Sequence, residues 1–285
     1  MTNISLLSKS KSFNGEVRRY SHKSTSLSCD MKFHVYVPSK SSTPSSVLWF
    51  LSGLTCTDEN FIQKSGAIQY ASQNNIFLVC PDTSPRGITI ENAEDKWQGP
   101  GFGAGYYLNS TTDKYKAHFQ MFTYITKELF ELINKEFTDT ININKHSIFG
   151  HSMGGLGAIS LFIKTNGQYK SVSAFSPISN PVNCDWSLHS FKEYLGTENK
   201  EAWLQYDPCH LLKNYDGKPF DLLVDQGSAD EFFNDLKFDN LELACKENSK
   251  INLIARLQDG YNHGYFYIST FIKDHIEYHS KHLNK

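Results

Sequence analysis

Residues 147–163 read SIFGHSMGGLGAISLFI. The first three have strand character, the next five form the pattern G-x-S-x-G, and a helical run follows to about residue 163. A serine placed between a strand and a helix in this way must take up a strained backbone conformation, so that its hydroxyl projects above a sheet. Gly150 and Gly154, two before and two after, leave room for so sharp a turn. The helix that begins there directs its first N–H groups at any negative charge that develops on a substrate. A serine that only caps a helix could sit in the same place. The strand before and the helix after favour a nucleophile, Ser152, over that plainer role. His151 lies beside it in sequence, but neighbours at a tight turn point in different directions, and it reads as a packed supporting residue.

Working outward, residues 46–51 (SVLWFL) and 76–80 (IFLVC) are continuous apolar runs, as in strands covered on both faces. Residues 32–37 alternate, with Phe33, Val35 and Val37 on one side, as a half-buried strand does. Shorter strand signals stand at 172–175, 222–224 and 251–257. Helical spacing appears over 61–73, over 119–137 and over about 265–282. Alternating strands and helices with buried central strands predict an α/β fold, a mostly parallel sheet with helices on both faces. No repeat or linker divides the 285 residues, so one domain is expected. Such sheets bind ligands where strands end. Two long connections, 81–112 and 176–218, therefore attract notice as functional loops or as carriers of small elements.

A serine nucleophile needs a base and an acid, and in α/β-hydrolases these follow in the order Ser, Asp or Glu, His. His263 stands in a Gly-containing loop after the last strand signal and is the expected base. His275, His279 and His282 fall in the terminal helix on what reads as its polar face. Their spacing could hold a metal, but no acidic or cysteine partners accompany them, and a solvated surface row is expected. Asp225, Asp230 and Glu231 follow the strand at 222–224. Asp225 is too early to turn back and is expected to hydrogen-bond loop backbone. Asp230 is favoured over its neighbours, because a carboxylate there can reach the far nitrogen of the imidazole. Attack also needs two N–H donors for the tetrahedral oxygen: one follows the nucleophile, Met153, and one belongs on the loop after residues 46–51.

That loop, LSGLTCTDENF at 51–61, resembles the signature of S-formylglutathione hydrolases, the esterase D family of α/β-hydrolases. Further segments resemble the family across nearly the whole chain: KSG at 64–66, PDTSPRG at 81–87, GAGYYLN at 103–109, SAFSPISNP at 173–181, DQGSADEFF at 225–233 and DGYNHGYFY at 259–267. The resemblance settles the acid as Asp230, completes a triad of Ser152, Asp230 and His263, and makes Leu54 and Met153 the oxyanion donors. It implies that Cys56 and Trp97 border the substrate pocket. It further implies hydrolysis of the thioester S-formylglutathione to formate and glutathione in formaldehyde detoxification, no cofactor or metal, and a homodimer or higher homo-oligomer. General short-chain carboxylesterase activity is the alternative. Glutathione's carboxylates suggest cationic contacts; Lys64 and Arg86 are placed for this by loop position, although each reads as a solvated charge. Residues 97–102 are longer and richer in Pro and Gly than the family pattern, and Asn262 replaces its frequent Asp.

Composition agrees with a small-molecule enzyme. Lys and Arg total 28 against 30 Asp and Glu, a balance unlike that of a nucleic-acid or anionic-membrane binder. No long apolar run suggests a membrane span or an export leader, and a cytoplasmic protein is expected. The cysteines Cys29, Cys56, Cys80, Cys184, Cys209 and Cys245 form no C-x-x-C pair and are expected to be reduced and mostly buried. The sequons at Asn3 and Asn109 are then chance matches.

Overall fold

A computed structural model describes residues 4–39, 42–91 and 99–285. Its strands are β1 (Ser5–Ser12), β2 (Gly15–Ser24), β3 (Cys29–Val37), β4 (Ser45–Leu51), β5 (Ile76–Pro81), β6 (Ile141–His151), β7 (Val172–Phe175), β8 (Phe220–Gly227) and β9 (Ile251–Gln258). They form one sheet in the order β1-β2-β3-β5-β4-β6-β7-β8-β9. From β5 onward every neighbouring pair is parallel, while β1, β2 and β3 join antiparallel at one side. This is the α/β-hydrolase architecture expected from the sequence.

The run at β4 shows why the sheet is covered on both faces. Val47, Trp49 and Leu51 enter one hydrophobic cluster. Leu48 and Phe50 enter the other, beneath α1 (Asn60–Lys64), α2 (Ala67–Gln73) and the terminal helix α5 (Tyr265–Leu283). Phe50 and Phe61 stack with ring centroids 3.5 Å apart. α3 (Met153–Lys164) packs its nearly all-buried face on the first cluster, and α4 (Asp185–Leu195) lies within the long connection after β7. Among the described residues no helix is long and apolar enough to cross a membrane.

Several local expectations need correction. The helix over 61–73 is two helices, because Gly66 adopts φ +71° between them. The helix over 119–137 starts at Met121 and contains a π turn at Tyr124–Glu128 before Leu129–Glu136. β3 is not half-buried along its length: His34 and Tyr36 are buried along with Phe33 and Val35. His275 and His279 are no surface row; both are wholly buried. Ser173 Oγ lies 2.8 Å from His275 Nδ1 and 2.8 Å from His279 Nε2, and Ser171 Oγ lies 2.8 Å from His279 Nδ1. Polar side chains of β7 and its flank thus satisfy imidazoles that sequence placed in water. Asp225 also differs from expectation. Its carboxylate takes the Arg256 guanidinium at 2.5 and 2.6 Å and lies 3.3 Å from His275 Nε2, so it anchors β9 and α5 to β8.

Candidate active site

Ser152 has φ 57° and ψ −120°, a conformation that costs an L-residue energy and is held here by its neighbours. Its N–H donates to Phe175 O at 3.0 Å, and its carbonyl accepts from Gly155, Leu156 and Ile178 at 2.9–3.1 Å. The glycines are required by contact. A Cβ on Gly150 would sit 2.1 Å from Gly154 O, and one on Gly154 would sit 1.9 Å from Leu51 O. The turn therefore closes only with glycine on both sides of the serine, as the sequence predicts.

The loop after β4 lies against this turn: a Cβ on Gly53 would be 3.1 Å from Ser152 Cβ. Among the described residues the Leu54 N–H donates to no backbone carbonyl. Two sets of contacts fix the loop. Arg19 donates to both oxygens of Asp58 and to Glu59, and His34 Nδ1 lies 2.8 Å from Asp58 Oδ2. From the other side Thr83 Oγ1 and Arg86 Nη2 donate to Cys56 O at 2.5 and 2.9 Å, while Arg86 also meets Asp82 at 3.0 Å. Arg86 is therefore a structural clamp. Lys64 is exposed, with its ammonium 5.8 Å over the Tyr265 ring.

The loops after β8 and β9 clasp each other. Ala229 N–H donates to Tyr261 O at 3.0 Å, and Gly227 passes so close that a Cβ there would lie 2.3 Å from the same oxygen. This brings His263 Nδ1 to 2.7 Å from Asp230 Oδ2. Burial alone would raise the Asp230 carboxyl. The His263 contact, the Phe232 N–H and the nearby Ser176 hydroxyl outweigh it and hold the carboxyl below its ordinary range. Asp230 is thus an anion beside an imidazole, the arrangement that fixes a tautomer and stabilises an imidazolium. Glu231 does not reach the ring; it accepts from the His263 backbone N–H at 3.2 Å.

Ser152 and His263 line one cleft of about 180 Å³ together with Gly53, Leu54, Cys56 and His151. Trp186, Phe232 and Tyr265 form its aromatic walls. These three were not anticipated: Trp186 belongs to α4, in a long connection whose sequence gave no register. His151 is a packed neighbour, as expected, with its ring centroid 4.4 Å from that of His263. Burial first, and the His263 ring second, push its pKa well below the ordinary value and keep it neutral. Cys56 is half-buried, and burial raises its thiol, an effect that Lys64 partly opposes. Trp97, the other expected pocket residue, lies outside the described residues.

Known proteins resemble the chain along almost its whole length. The Esterase family model matches residues 24–278. The S-formylglutathione hydrolase of Bos taurus is 48% identical over 281 residues, covering 98% of each chain. The chain belongs to the S-formylglutathione hydrolase family. The Arabidopsis thaliana S-formylglutathione hydrolase is 47% identical, again over 98% of both chains. The solved structure of an Agrobacterium tumefaciens S-formylglutathione hydrolase superposes with a TM-score of 0.92 at 40% identity, covering 98% of this chain and 99% of that one. Members of the Esterase family are hydrolases, which fits the strained serine at the end of β6.

Proposed function

We propose that the chain hydrolyses S-formylglutathione to formate and glutathione, with Ser152 as nucleophile, His263 as general base and Asp230 as the acid of the triad. The observation that carries the reading is the 2.7 Å contact between His263 Nδ1 and Asp230 Oδ2 beside the cleft that Ser152 shares. His263 Nε2 takes the hydroxyl proton as Ser152 Oγ attacks the formyl carbon. The Leu54 and Met153 N–H groups receive the developing oxyanion. The carbon–sulfur bond then breaks, the thiol departs with the proton from His263, and a formyl-serine ester remains. Water gives its proton to His263, attacks the ester carbon and releases formate, restoring Ser152.

The size of the cleft supports a small acyl group, and the near relatives in cattle and Arabidopsis bear the same activity in their names. A formyl group offers little surface, so affinity must come from the thiol portion. Lys64, exposed beside Tyr265 at the cleft wall, is placed to meet a carboxylate there. The apolar walls favour a second activity on short-chain esters. The test is hydrolysis of S-formylglutathione against S-acetylglutathione and a short-chain nitrophenyl ester. A formyl preference of orders of magnitude in kcat/KM supports the role, and equal or better cleavage of the ester reduces it to general esterase.

The same reading makes the chain one domain, cytoplasmic, and a homodimer or higher oligomer. Six free cysteines suit a reducing compartment. Light scattering on the purified protein tests the assembly: a monomer mass contradicts it.

A further inference from the structure

Asp230 is held by a third side chain. Gln226, the penultimate residue of β8, is fully buried and donates its Nε2 to Asp230 Oδ2 at 3.0 Å. That oxygen is the one that meets His263 Nδ1 at 2.7 Å. The other oxygen, Oδ1, accepts from the Phe232 N–H at 2.9 Å. The direction of the amide is fixed by chemistry, since an ionised carboxylate only accepts. The second hydrogen of Nε2 goes to Gly227 O at 3.2 Å, so both amide hydrogens have acceptors. Nε2 is therefore tied both to strand backbone and to the acid, while the buried Oε1 has no hydrogen-bond partner among the described residues.

We propose that Gln226 is a positioning residue for the acid–base pair, setting both the rotamer and the basicity of Asp230. This rests on the triad reading above. An amide that donates to Oδ2 competes with His263 for the same negative charge and spreads it. Without that donor the carboxylate would pull harder on the imidazolium, and it would be free to turn. The first change slows the return of the proton from the imidazolium and the second misaligns the ring, while the cleft that binds substrate stays in place.

The experiment is the pH profile of nitrophenyl acetate hydrolysis for the full chain, Gln226→Met and Gln226→Glu, with Ser152→Ala as the inactive reference. Gln226→Met is expected to lower kcat by about 10- to 100-fold with KM within about twofold, and to move the acidic limb of kcat/KM to higher pH. Gln226→Glu carries its own prediction. Burial and the Asp230 charge both favour its protonated form, whose O–H replaces the lost N–H near neutral pH. It should therefore recover most of kcat there and lose it on the alkaline side, where the unmodified chain stays flat. An unmoved acidic limb in Gln226→Met overturns the proposal, as does a Gln226→Glu profile parallel to the unmodified one or no better than Gln226→Met at neutral pH. Should Gln226→Met fail to fold, the Gln226→Glu profile decides alone. Ester turnover that disappears in Ser152→Ala keeps the triad reading whatever the Gln226 series shows. Ester turnover that survives in Ser152→Ala overturns the triad and this proposal with it.

Discussion

The Nε and Nη2 atoms of Arg19, on β2, each lie 2.9 Å from one carboxylate oxygen of Asp58, on the loop that carries Leu54. A fork of this kind fixes a loop in two directions at once, which a lysine would not do. Burial on its own would raise the Asp58 carboxyl; the contacts with His34 and Arg19 outweigh it and hold it below the ordinary range. Since the folded value is depressed, the stabilisation is whole above the unfolded value of about 3.9 and is lost as pH falls through the folded one.

Arg19→Met should therefore cost about 2–3 kcal/mol, somewhat less than a fully buried pair because the guanidinium is partly exposed. Loosening the loop should also displace the Leu54 N–H and lower kcat by about tenfold, short of the larger loss when an oxyanion donor is removed outright. Urea unfolding and steady-state kinetics on the same sample check both. Loss of stability with kcat intact would separate the loop anchor from the oxyanion site.

Trp186 walls the cleft, and its removal should admit longer acyl chains. At about 0.8 kcal/mol per methylene, two extra methylenes gain about 1.6 kcal/mol, or about 15-fold, if they become buried. Trp186→Ala should raise the butyrate-to-acetate ratio of kcat/KM for nitrophenyl esters by about that factor. An unchanged ratio would mean that the acyl group lies elsewhere in the cleft.

Buried histidines make the fold sensitive to mild acid. His279 is pushed well below its ordinary value, by burial first and then by His275 and His282, and His275 is lowered by burial against the pull of Asp225. The unfolded chain binds a proton near pH 6.5 where folded His279 does not, so stability is full above that pH and falls below it. Between about pH 7 and pH 5.5 this one residue contributes a loss on the order of 1 kcal/mol. His279→Asn should flatten the urea-derived stability curve by that amount over the same range; an identical slope would place the titrating groups elsewhere.

Cys56 is predicted to be slow toward alkylating agents at neutral pH, because burial holds its thiol protonated. Once modified, a bulky adduct in the cleft should block turnover. Cys56→Ala should keep most activity and lose sensitivity to iodoacetamide. Inhibition that persists in Cys56→Ala would assign it to another cysteine.

What could be read from sequence follows from how each feature is enforced. The turn at Ser152 was legible because backbone contact at Gly150 and Gly154 excludes any side chain, leaving a fixed residue pattern. β4 and β5 were legible because both faces are buried. β1 was invisible: its residues are exposed almost throughout, with no apolar alternation to mark it. The buried chain of His275, Ser173, His279 and Ser171 was misjudged because polar residues that satisfy one another look, in one dimension, like a wet surface. Asp230 was only favoured from spacing, since the clasp between the 227–231 and 258–263 loops is a tertiary contact.

The most direct test is the hydrolysis of S-formylglutathione by the purified chain beside Ser152→Ala, following glutathione release. The account predicts turnover that far exceeds that of S-acetylglutathione in kcat/KM and that disappears in the variant. Retained turnover in Ser152→Ala, or no formyl preference in the unmodified chain, would contradict it.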